Sequence, residues 1–373
     1  MKHRRKLFNM PRRALYDHTK TDAVFLRAMK ENIAQHRRKC PEYDEILAGF
    51  DFTLQQINTM ADICKIPPLP TSLLKNTTLL SKPYKKLLIK TTSSGTSGTK
   101  TLSGFDLGSA LCGLKMAIKT FRRHKLLTLK RTNYLVLGYA PSKLDQSATT
   151  KALKAVMLLA PKAKAEYALV VRDGKYEINI EGLIAAIQKY AKSKRPVRII
   201  GFPAFLKMFL DELAERGIKL KLPQKSKVLL GGGWKGMFME QVSKEELFSL
   251  AQNTLGINPE NCKDHFSTAE HPINYIACKN HRFHVPVFAR VLIRDVNTLA
   301  PVPYGTAGLL NLISPILSSA PYGSIITDDI AVMRDGADCG CGNSAPYFDL
   351  AGRVGLASVK TCAQAASEFL KNI

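Results

Sequence analysis

The 373-residue sequence is poor in acidic residues and contains a single tryptophan. The uncharged stretch from Tyr304 to Thr327 is long enough to cross a membrane, but prolines and glycines interrupt it, so it predicts short strands and no transmembrane segment. The basic opening MKHRRKLFNMPRR lacks the apolar segment of a secretory signal. We expect this opening to be a solvated or anion-contacting arm, because blocks of like charge repel one another.

The shortage of acidic residues leaves a net charge of +25, from 55 Lys+Arg against 30 Asp+Glu. Such a field attracts anions, and nucleic acid, nucleotides, fatty carboxylates, an anionic membrane and an acidic carrier protein all qualify. The sequence has no compact nucleic-acid-binding motif, so we expect no nucleic-acid partner. Four histidines in basic stretches are expected to be solvated: His3, His18, His36 and His124. Eight cysteines without a secretory signal predict reduced thiols and a cytoplasmic protein.

Strand-like and helix-like segments alternate after Ile66–Pro70, a proline-rich stretch that predicts an extended linker. This alternation predicts an α/β fold with a largely parallel sheet. Strands are predicted at 133–139, 168–172, 178–180, 197–201 and 227–230, and helices at 22–38, 44–60, 149–159, 181–192 and 204–216. The predicted division is a basic helical region 1–65, an α/β core 66–285, a β-rich subdomain 286–355 and a C-terminal tail 356–373.

The most distinctive local motif is a loop of glycines and hydroxyl residues that ends in a lysine. It reads Thr91-Thr92-Ser93-Ser94-Gly95-Thr96-Ser97-Gly98-Thr99-Lys100. Backbone N–H groups and hydroxyls of such a loop can bind phosphate oxygens, and a helix is predicted to begin after it, near Leu107. The Walker spacing is absent, because only two residues separate Gly95 from Gly98 and Thr99 precedes Lys100. Taken alone, the motif also fits a plain surface loop.

Four further motifs follow the loop in order along the chain. They are Gly231-Gly232-Gly233-Trp234, Asp264-His265-Phe266-Ser267-Thr268-Ala269-Glu270, Thr327-Asp328-Asp329 and Gly352-Arg353. The ordered set resembles the signatures of adenylate-forming enzymes, the superfamily of acyl-CoA synthetases and peptide-synthetase adenylation domains. Ser267, Ala269 and Asp328 depart from the glycine, threonine and glycine of that family.

The resemblance implies that the chain binds ATP and Mg²⁺ in a nucleotide-binding core. It implies phosphate contacts from Thr92, Ser93, Ser94, Gly95, Thr96, Ser97, Gly98 and Lys100, and adenine contacts from Gly231, Gly232 and Gly233. It further implies that Glu270 helps to hold Mg²⁺, that Asp329 binds the ribose hydroxyls and that Arg353 contacts ribose or phosphate.

The chain ends 20 residues after Arg353, whereas full-length members of the superfamily carry a further domain with a catalytic lysine. This form is similar to the acyl-protein synthetases of bacterial luminescence, which are long-chain fatty acid–protein ligases. They share the proline-rich stretch 66–75 and the glycine turn 231–236. The resemblance implies that a carboxylic acid, of the long-chain fatty class, is activated as its adenylate and passed to Cys362 for delivery to a reductase partner. Catalytic roles are then expected for Cys362, Lys100 and Glu270.

Two alternative functions stay open. A CoA ligase of the phenylacetate type would form the same adenylate but transfer the acyl group to CoA. A basic nucleic-acid-binding protein would account for the charge, but it would leave the ordered motifs unexplained.

A separate group of cysteines and a histidine has the composition of a metal site. It comprises Cys278, His284, Cys339 and Cys341. Three thiolates and an imidazole would form a closed tetrahedral zinc site of the structural kind. The spacing matches no standard zinc finger, and buried cysteines without metal are the alternative. His265 and His271 flank the proposed Mg²⁺ residue and are weaker candidates for the site.

Overall fold

The protein is described by a computed structural model that covers residues 1–92, 102–142, 148–232, 234 and 241–353. The chain divides into two compact units. The first unit comprises Met1–Thr120, Ser267–Tyr275 and the chain from Arg282 onward, and the second comprises Phe121–Phe266 and Ile276–His281. The division at residues 65, 285 and 355 stays a prediction from the sequence.

The helices of the described residues lie mainly before residue 260. They are α1 (Lys2–Asn9), α2 (Asp22–Lys39), α3 (Pro41–Gly49), α4 (Thr71–Asn76), α5 (Leu107–Arg123), α6 (Ala148–Met157), α7 (Ile180–Ala191), α8 (Pro203–Glu215) and α9 (Lys244–Leu255).

The local sequence explains both ends of α9. Ser243 caps α9 by accepting a hydrogen bond from the backbone N–H of Glu246, and Gly256 ends that helix in the left-handed conformation. No helix among the described residues is both long and apolar enough to span a bilayer.

The strands alternate with these helices and then dominate the chain after residue 260. They are β1 (Leu69–Pro70), β2 (Ile89–Thr92), β3 (Leu102–Phe105), β4 (Thr132–Tyr139), β5 (Lys162–Arg172), β6 (Lys175–Ile178), β7 (Val197–Gly201), β8 (Lys227–Gly231), β9 (Cys262–Phe266), β10 (Tyr275–Ile276), β11 (Phe283–His284), β12 (Arg290–Arg294), β13 (Ala307–Ile313), β14 (Ser324–Arg334) and β15 (Tyr347–Arg353). The predicted strand and helix order from 133 to 230 is thereby confirmed.

A seven-stranded sheet has the order β10-β9-β8-β7-β4-β5-β6. The pairs from β9 through to β5 are parallel, and β6 returns antiparallel to β5 around the turn at Asp173 and Gly174. Strand β4 is buried almost throughout because α7 and α8 pack their apolar faces beside it. The predicted α/β fold with a largely parallel sheet is confirmed.

A six-stranded sheet lies in the first unit and has the order β11-β15-β14-β13-β12. The proline-rich strand β1 adds to it, pairing parallel with β14 through Leu69 and Ile325. The predicted linker is therefore extended, as its prolines require, but it is also part of a sheet. Tyr304–Thr327 contains all of β13 and the start of β14, which confirms short strands there.

The N-terminal segment is not a solvated arm, so that prediction was wrong. Its residues form α1, in which Leu7 and Phe8 are completely buried. The ring of Phe8 stacks on Phe288 at 4.8 Å between centroids, and Arg4 donates to the carbonyl of Ile316 at 3.0 Å. Two apolar side chains one turn into the helix outweigh the repulsion among its basic residues, because burying each contributes roughly 1.5–3 kcal/mol.

The helix predicted at 44–60 is also wrong over its second half. Helix α3 ends at Gly49, and Asp51 has a φ of 49°. Thr53 and Gln56 then form a reciprocal capping box that starts a separate 3₁₀ turn. These local side-chain hydrogen bonds compete with continuation of the helix.

Candidate active site

Asp329 and Arg353, the two candidate ribose contacts, lie opposite each other on β14 and β15. Arg353 Nε is 3.6 Å from Asp329 Oδ1, and the Asp329 side chain is only 14% exposed. The backbone N–H of Asp329 donates to Thr327 Oγ1 at 3.2 Å, a hydrogen bond within the Thr-Asp-Asp motif. The register of one antiparallel pair therefore brings together two residues that are 24 positions apart.

The environment of Asp329 is unusual for an aspartate. Burial raises its pKa above the ordinary value, and the positive charge of Arg353 opposes that effect only in part. A buried carboxylate of this kind would be stabilised by hydroxyl donors that replace lost water. The geometry is therefore suited to a ligand with hydroxyl groups, although the ribose assignment itself stays a prediction.

Glu270, the candidate Mg²⁺ ligand, lies in a turn that follows β9. The backbone N–H of His271 donates to Thr268 Oγ1 at 3.0 Å and closes this turn. Burial and then the negative charge of Glu270 raise the pKa of Tyr322, whose hydroxyl has no hydrogen-bond partner among the described residues. Tyr322 was not singled out by the sequence analysis. The one feature that could have indicated it is a phenol hydroxyl within an uncharged, apolar stretch.

His271 is a buried core residue rather than a titrating site residue. Its Nε2 is 2.8 Å from the Tyr275 hydroxyl and its ring stacks on that of Tyr275. Burial lowers the pKa of His271 to about 3, so it stays neutral at ordinary pH.

The glycine turn lies at the carboxyl end of β8. Gly231 pairs with His265 on the parallel strand β9, so the turn and the start of the Glu270 motif share one sheet edge. A Cβ on Gly232, whose φ is +80°, would lie 2.9 Å from the Phe202 ring. Only glycine fits that position without strain. Carboxyl ends of parallel strands are where open α/β sheets bind ligands. Gly233 lies outside the described residues.

The candidate phosphate loop is flanked by a two-stranded antiparallel ribbon. Thr92 at the end of β2 pairs with Leu102 at the start of β3. The predicted helix α5 does begin at Leu107, but β3 precedes it. The remaining loop residues, Ser93, Ser94, Gly95, Thr96, Ser97, Gly98 and Lys100, lie outside the described residues, and so does Cys362.

The start of α5 carries a polar network that sequence reasoning did not predict. Asp106 accepts hydrogen bonds from the backbone N–H of Ser109 at 2.9 Å and from the Ser318 hydroxyl at 2.8 Å. It also forms an ion pair with Lys82. Although burial opposes ionisation, these donors together hold the pKa of Asp106 well below its usual value. The network holds the start of α5, the helix that follows the candidate phosphate loop.

The histidines predicted to be solvated do not all reach solvent. His36 is 1% exposed, with Nδ1 2.6 Å from Ser81 Oγ and Nε2 3.2 Å from the carbonyl of Leu317. His18 donates through Nε2 to the carbonyl of Val285 at 2.8 Å. The expectation of solvation was therefore wrong for His36, whereas His18 is half-buried.

The candidate metal ligands lie together. Cys278, His284, Cys339 and Cys341 place their ligand atoms all within 4.8 Å of one another. The first three are buried and Cys341 is half-buried. The grouping inferred from composition is therefore present in the fold, and its occupation by a metal stays a prediction.

Comparisons with known proteins give one consistent family. The family model described as "Acyl-protein synthetase, LuxE" matches residues 11–371. A long-chain-fatty-acid–luciferin-component ligase of Vibrio harveyi is 27% identical over 317 residues, covering 82% of this chain and 79% of the relative. The ligase of the same name from Aliivibrio fischeri is 28% identical over 292 residues, covering 73% of this chain and 70% of the relative.

A solved structure supports the fold. The 2-hydroxyisobutyryl-CoA ligase in complex with 2-HIB-AMP and CoA superposes with a TM-score of 0.65 at 13% identity, covering 92% of this chain and 77% of the ligase. At that identity the likeness concerns the fold alone. It agrees with the α/β fold expected from the sequence. Because the family model spans nearly the whole sequence, the chain belongs to the acyl-protein synthetase family, LuxE.

Proposed function

We propose that the protein uses ATP to activate a long-chain fatty acid and then transfers the acyl group to its own Cys362. The observation that carries the proposal is the family match over residues 11–371, a range that includes every candidate motif. The facing pair Asp329 and Arg353 supports it, because a buried carboxylate beside a guanidinium suits the polar ribose of a nucleotide.

The first step forms the acyl-adenylate. A carboxylate oxygen of the fatty acid attacks the α-phosphorus of ATP, the bond to the β-phosphate oxygen breaks, and pyrophosphate leaves. Because charge develops on phosphate oxygens, the protein acts mainly by positioning and by electrostatic stabilisation. Residues 93–98, Lys100 and Arg353 are proposed to contact these oxygens, and Asp329 to hold the ribose hydroxyls.

Magnesium is proposed to accompany ATP. A carboxylate with the phosphate oxygens is the donor set that Mg²⁺ prefers, and the half-buried Glu270 supplies such a carboxylate close enough to influence Tyr322. When bound, the ion would neutralise charge on the triphosphate.

The second step transfers the acyl group to sulfur. The Cys362 thiolate attacks the acyl carbonyl of the mixed anhydride, AMP leaves, and a thioester forms. Thiolates are effective nucleophiles even as minor species at neutral pH. The thioester would then serve a reductase partner. The excess of positive charge favours encounter with the anionic substrates of the first step.

The decisive experiment is a carboxylate-dependent ATP–pyrophosphate exchange assay without CoA, over a panel of fatty and aryl acids. We expect exchange with at least one long-chain acid. The absence of exchange together with the absence of ATP binding by calorimetry would overturn the proposal. Accumulation of a CoA thioester without labelled protein would establish the CoA-ligase alternative, and salt-dependent duplex binding without exchange would establish the nucleic-acid alternative.

A further inference from the structure

The four-residue Cys/His cluster is built from separate segments around the edge strand β11. His284 is the last residue of β11, and Cys278 lies six residues before it. Cys339 ends a 3₁₀ helix in the connection between β14 and β15, and Cys341 follows two residues later. None of the three cysteines is in a disulfide. The fold therefore gathers three thiols and an imidazole without linking them covalently.

The hydrogen bond of His284 determines which ring nitrogen is available to a metal. Its Nδ1 lies 2.6 Å from the carbonyl oxygen of Ala345. A carbonyl can only accept, so the proton is on Nδ1 and the lone pair is on Nε2. That Nε2 faces Cys341 Sγ at 3.2 Å. A ligand histidine held through its other nitrogen by a backbone carbonyl is the usual arrangement around protein-bound metals.

The backbone around the cysteines also favours convergence of the sulfur atoms. Gly340 and Gly342 have φ values of 67° and 88°, conformations in which glycine carries no steric penalty. They let the chain turn tightly on either side of Cys341. A Cβ on Gly336 would lie 2.3 Å from the backbone of Ser344, so the ends of this loop are in contact. The backbone N–H of Asn280 donates to Cys278 Sγ at 3.3 Å, a bond that stabilises a thiolate.

We propose that Cys278, His284, Cys339 and Cys341 bind one Zn²⁺ ion at a structural site. With Zn–S near 2.3 Å and Zn–N near 2.0–2.1 Å, a tetrahedral site separates sulfurs by roughly 3.8 Å and sulfur from nitrogen by roughly 3.6 Å. The observed spread of at most 4.8 Å needs only small side-chain adjustments to meet these values. Binding converts three thiols to thiolates and releases three protons, while the neutral imidazole coordinates unchanged.

The position of the site indicates a role in stability rather than in catalysis. Strand β11 pairs with β15 through His284 and Tyr347, at the end of the β14–β15 hairpin where Arg334 also lies. Asp329 is five residues before Arg334 on β14, roughly 17 Å along the strand. Four protein ligands leave no open position for a substrate. The ion would therefore clamp the closed end of the hairpin whose other end carries the nucleotide candidates Asp329 and Arg353.

Metal analysis of the purified full-length protein tests this proposal. We expect about one zinc per chain in the wild type, and a loss of most of that zinc in Cys341→Ser. Cys64→Ser is the matched control, because Cys64 is also half-buried but its thiol donates to the carbonyl of Ala61 and is not part of the Cys/His cluster. It should keep the zinc of the wild type.

A second measurement does not depend on the folding of any variant. Wild-type protein stripped of metal and loaded with Co²⁺ should show the visible and near-ultraviolet absorption of a tetrahedral thiolate site. Wild type that takes up neither Zn²⁺ nor Co²⁺, full zinc content in Cys341→Ser, or a disulfide among the three cysteines would each overturn the assignment.

Discussion

Asp329 and Arg353 are direct neighbours across β14 and β15, with Arg353 Nε 3.6 Å from Asp329 Oδ1. The two side chains differ in exposure, since Asp329 is 14% exposed and Arg353 is 70% exposed. The carboxylate is therefore largely enclosed, whereas the guanidinium is open to solvent. This relationship connects the fold to the proposed ATP chemistry.

Asp329→Ala is expected to weaken ATP binding in calorimetry. Each hydrogen bond from a ribose hydroxyl to this carboxylate is worth roughly 1.5–3 kcal/mol, so the loss should reach at least tenfold. Asp328→Ala is the matched control, because it removes a neighbouring carboxylate of the same strand and leaves the Asp329–Arg353 pair in place. Equal ATP affinity in folded Asp329→Ala and wild type would remove Asp329 from the nucleotide site.

Cys362→Ser is expected to separate activation from transfer. The variant should retain ATP–pyrophosphate exchange, since that step does not use the thiol, but lose hydroxylamine-sensitive labelling by radioactive fatty acid. Cys64→Ser should keep both activities. Persistent labelling of Cys362→Ser at another cysteine would contradict the assignment of the acyl acceptor.

His36 is expected to make the protein less stable in mild acid. Burial, aided by the positive charges of Arg4 and Lys39, lowers the pKa of His36 to about 4, although a hydrogen bond to Leu317 and the charge of Asp106 oppose the shift. The unfolded chain gains this proton near pH 6.5, so stability is full above that value and falls as the pH drops toward 4. The difference in pKa between the folded and unfolded states corresponds to a loss of roughly 3 kcal/mol at most in the free energy of unfolding.

Urea unfolding at several pH values measures that effect. His18 and His271 titrate in overlapping ranges, so the comparison is between wild type and His36→Gln. In the variant, the free energy of unfolding should depend less on pH between 6.5 and 4. An equal pH dependence in wild type and variant would show that His36 does not couple protonation to folding.

Asp106→Ala is expected to destabilise the fold by about 3 kcal/mol. The change removes the cap on α5, the carboxylate that accepts from the Ser318 hydroxyl and the ion-pair partner of Lys82. Asp211→Ala is the control, because Asp211 pairs with Lys207 on the surface of α8, where an ion pair is worth at most about 1 kcal/mol. Similar midpoints in urea for the two variants would contradict the importance of the Asp106 network.

Strong local patterns were sufficient to predict much of the second unit. The apolar run of β4 and the amphipathic faces of α7 and α8 each specify one kind of element, so their predicted ranges agree with the structure to within two residues. Patterns near residue 50 were weaker. There a left-handed residue and a capping box ended α3 earlier than its apolar spacing predicted.

The sequence by itself determined the family, the α/β fold class and the order of the candidate nucleotide motifs, because these depend on local residue types and their order along the chain. Only the tertiary structure decided which of these residues meet. The register of β14 and β15 makes neighbours of Asp329 and Arg353, and the loop before β15 brings Cys339 and Cys341 to His284. The tertiary structure also determines that one face of α1 and the side chain of His36 are buried. Arg4 of α1 and His36 contact the backbone carbonyls of Ile316 and Leu317, and such contacts outweigh the local basic charge. Long-range packing of this kind leaves no signal in the spacing of neighbouring residues.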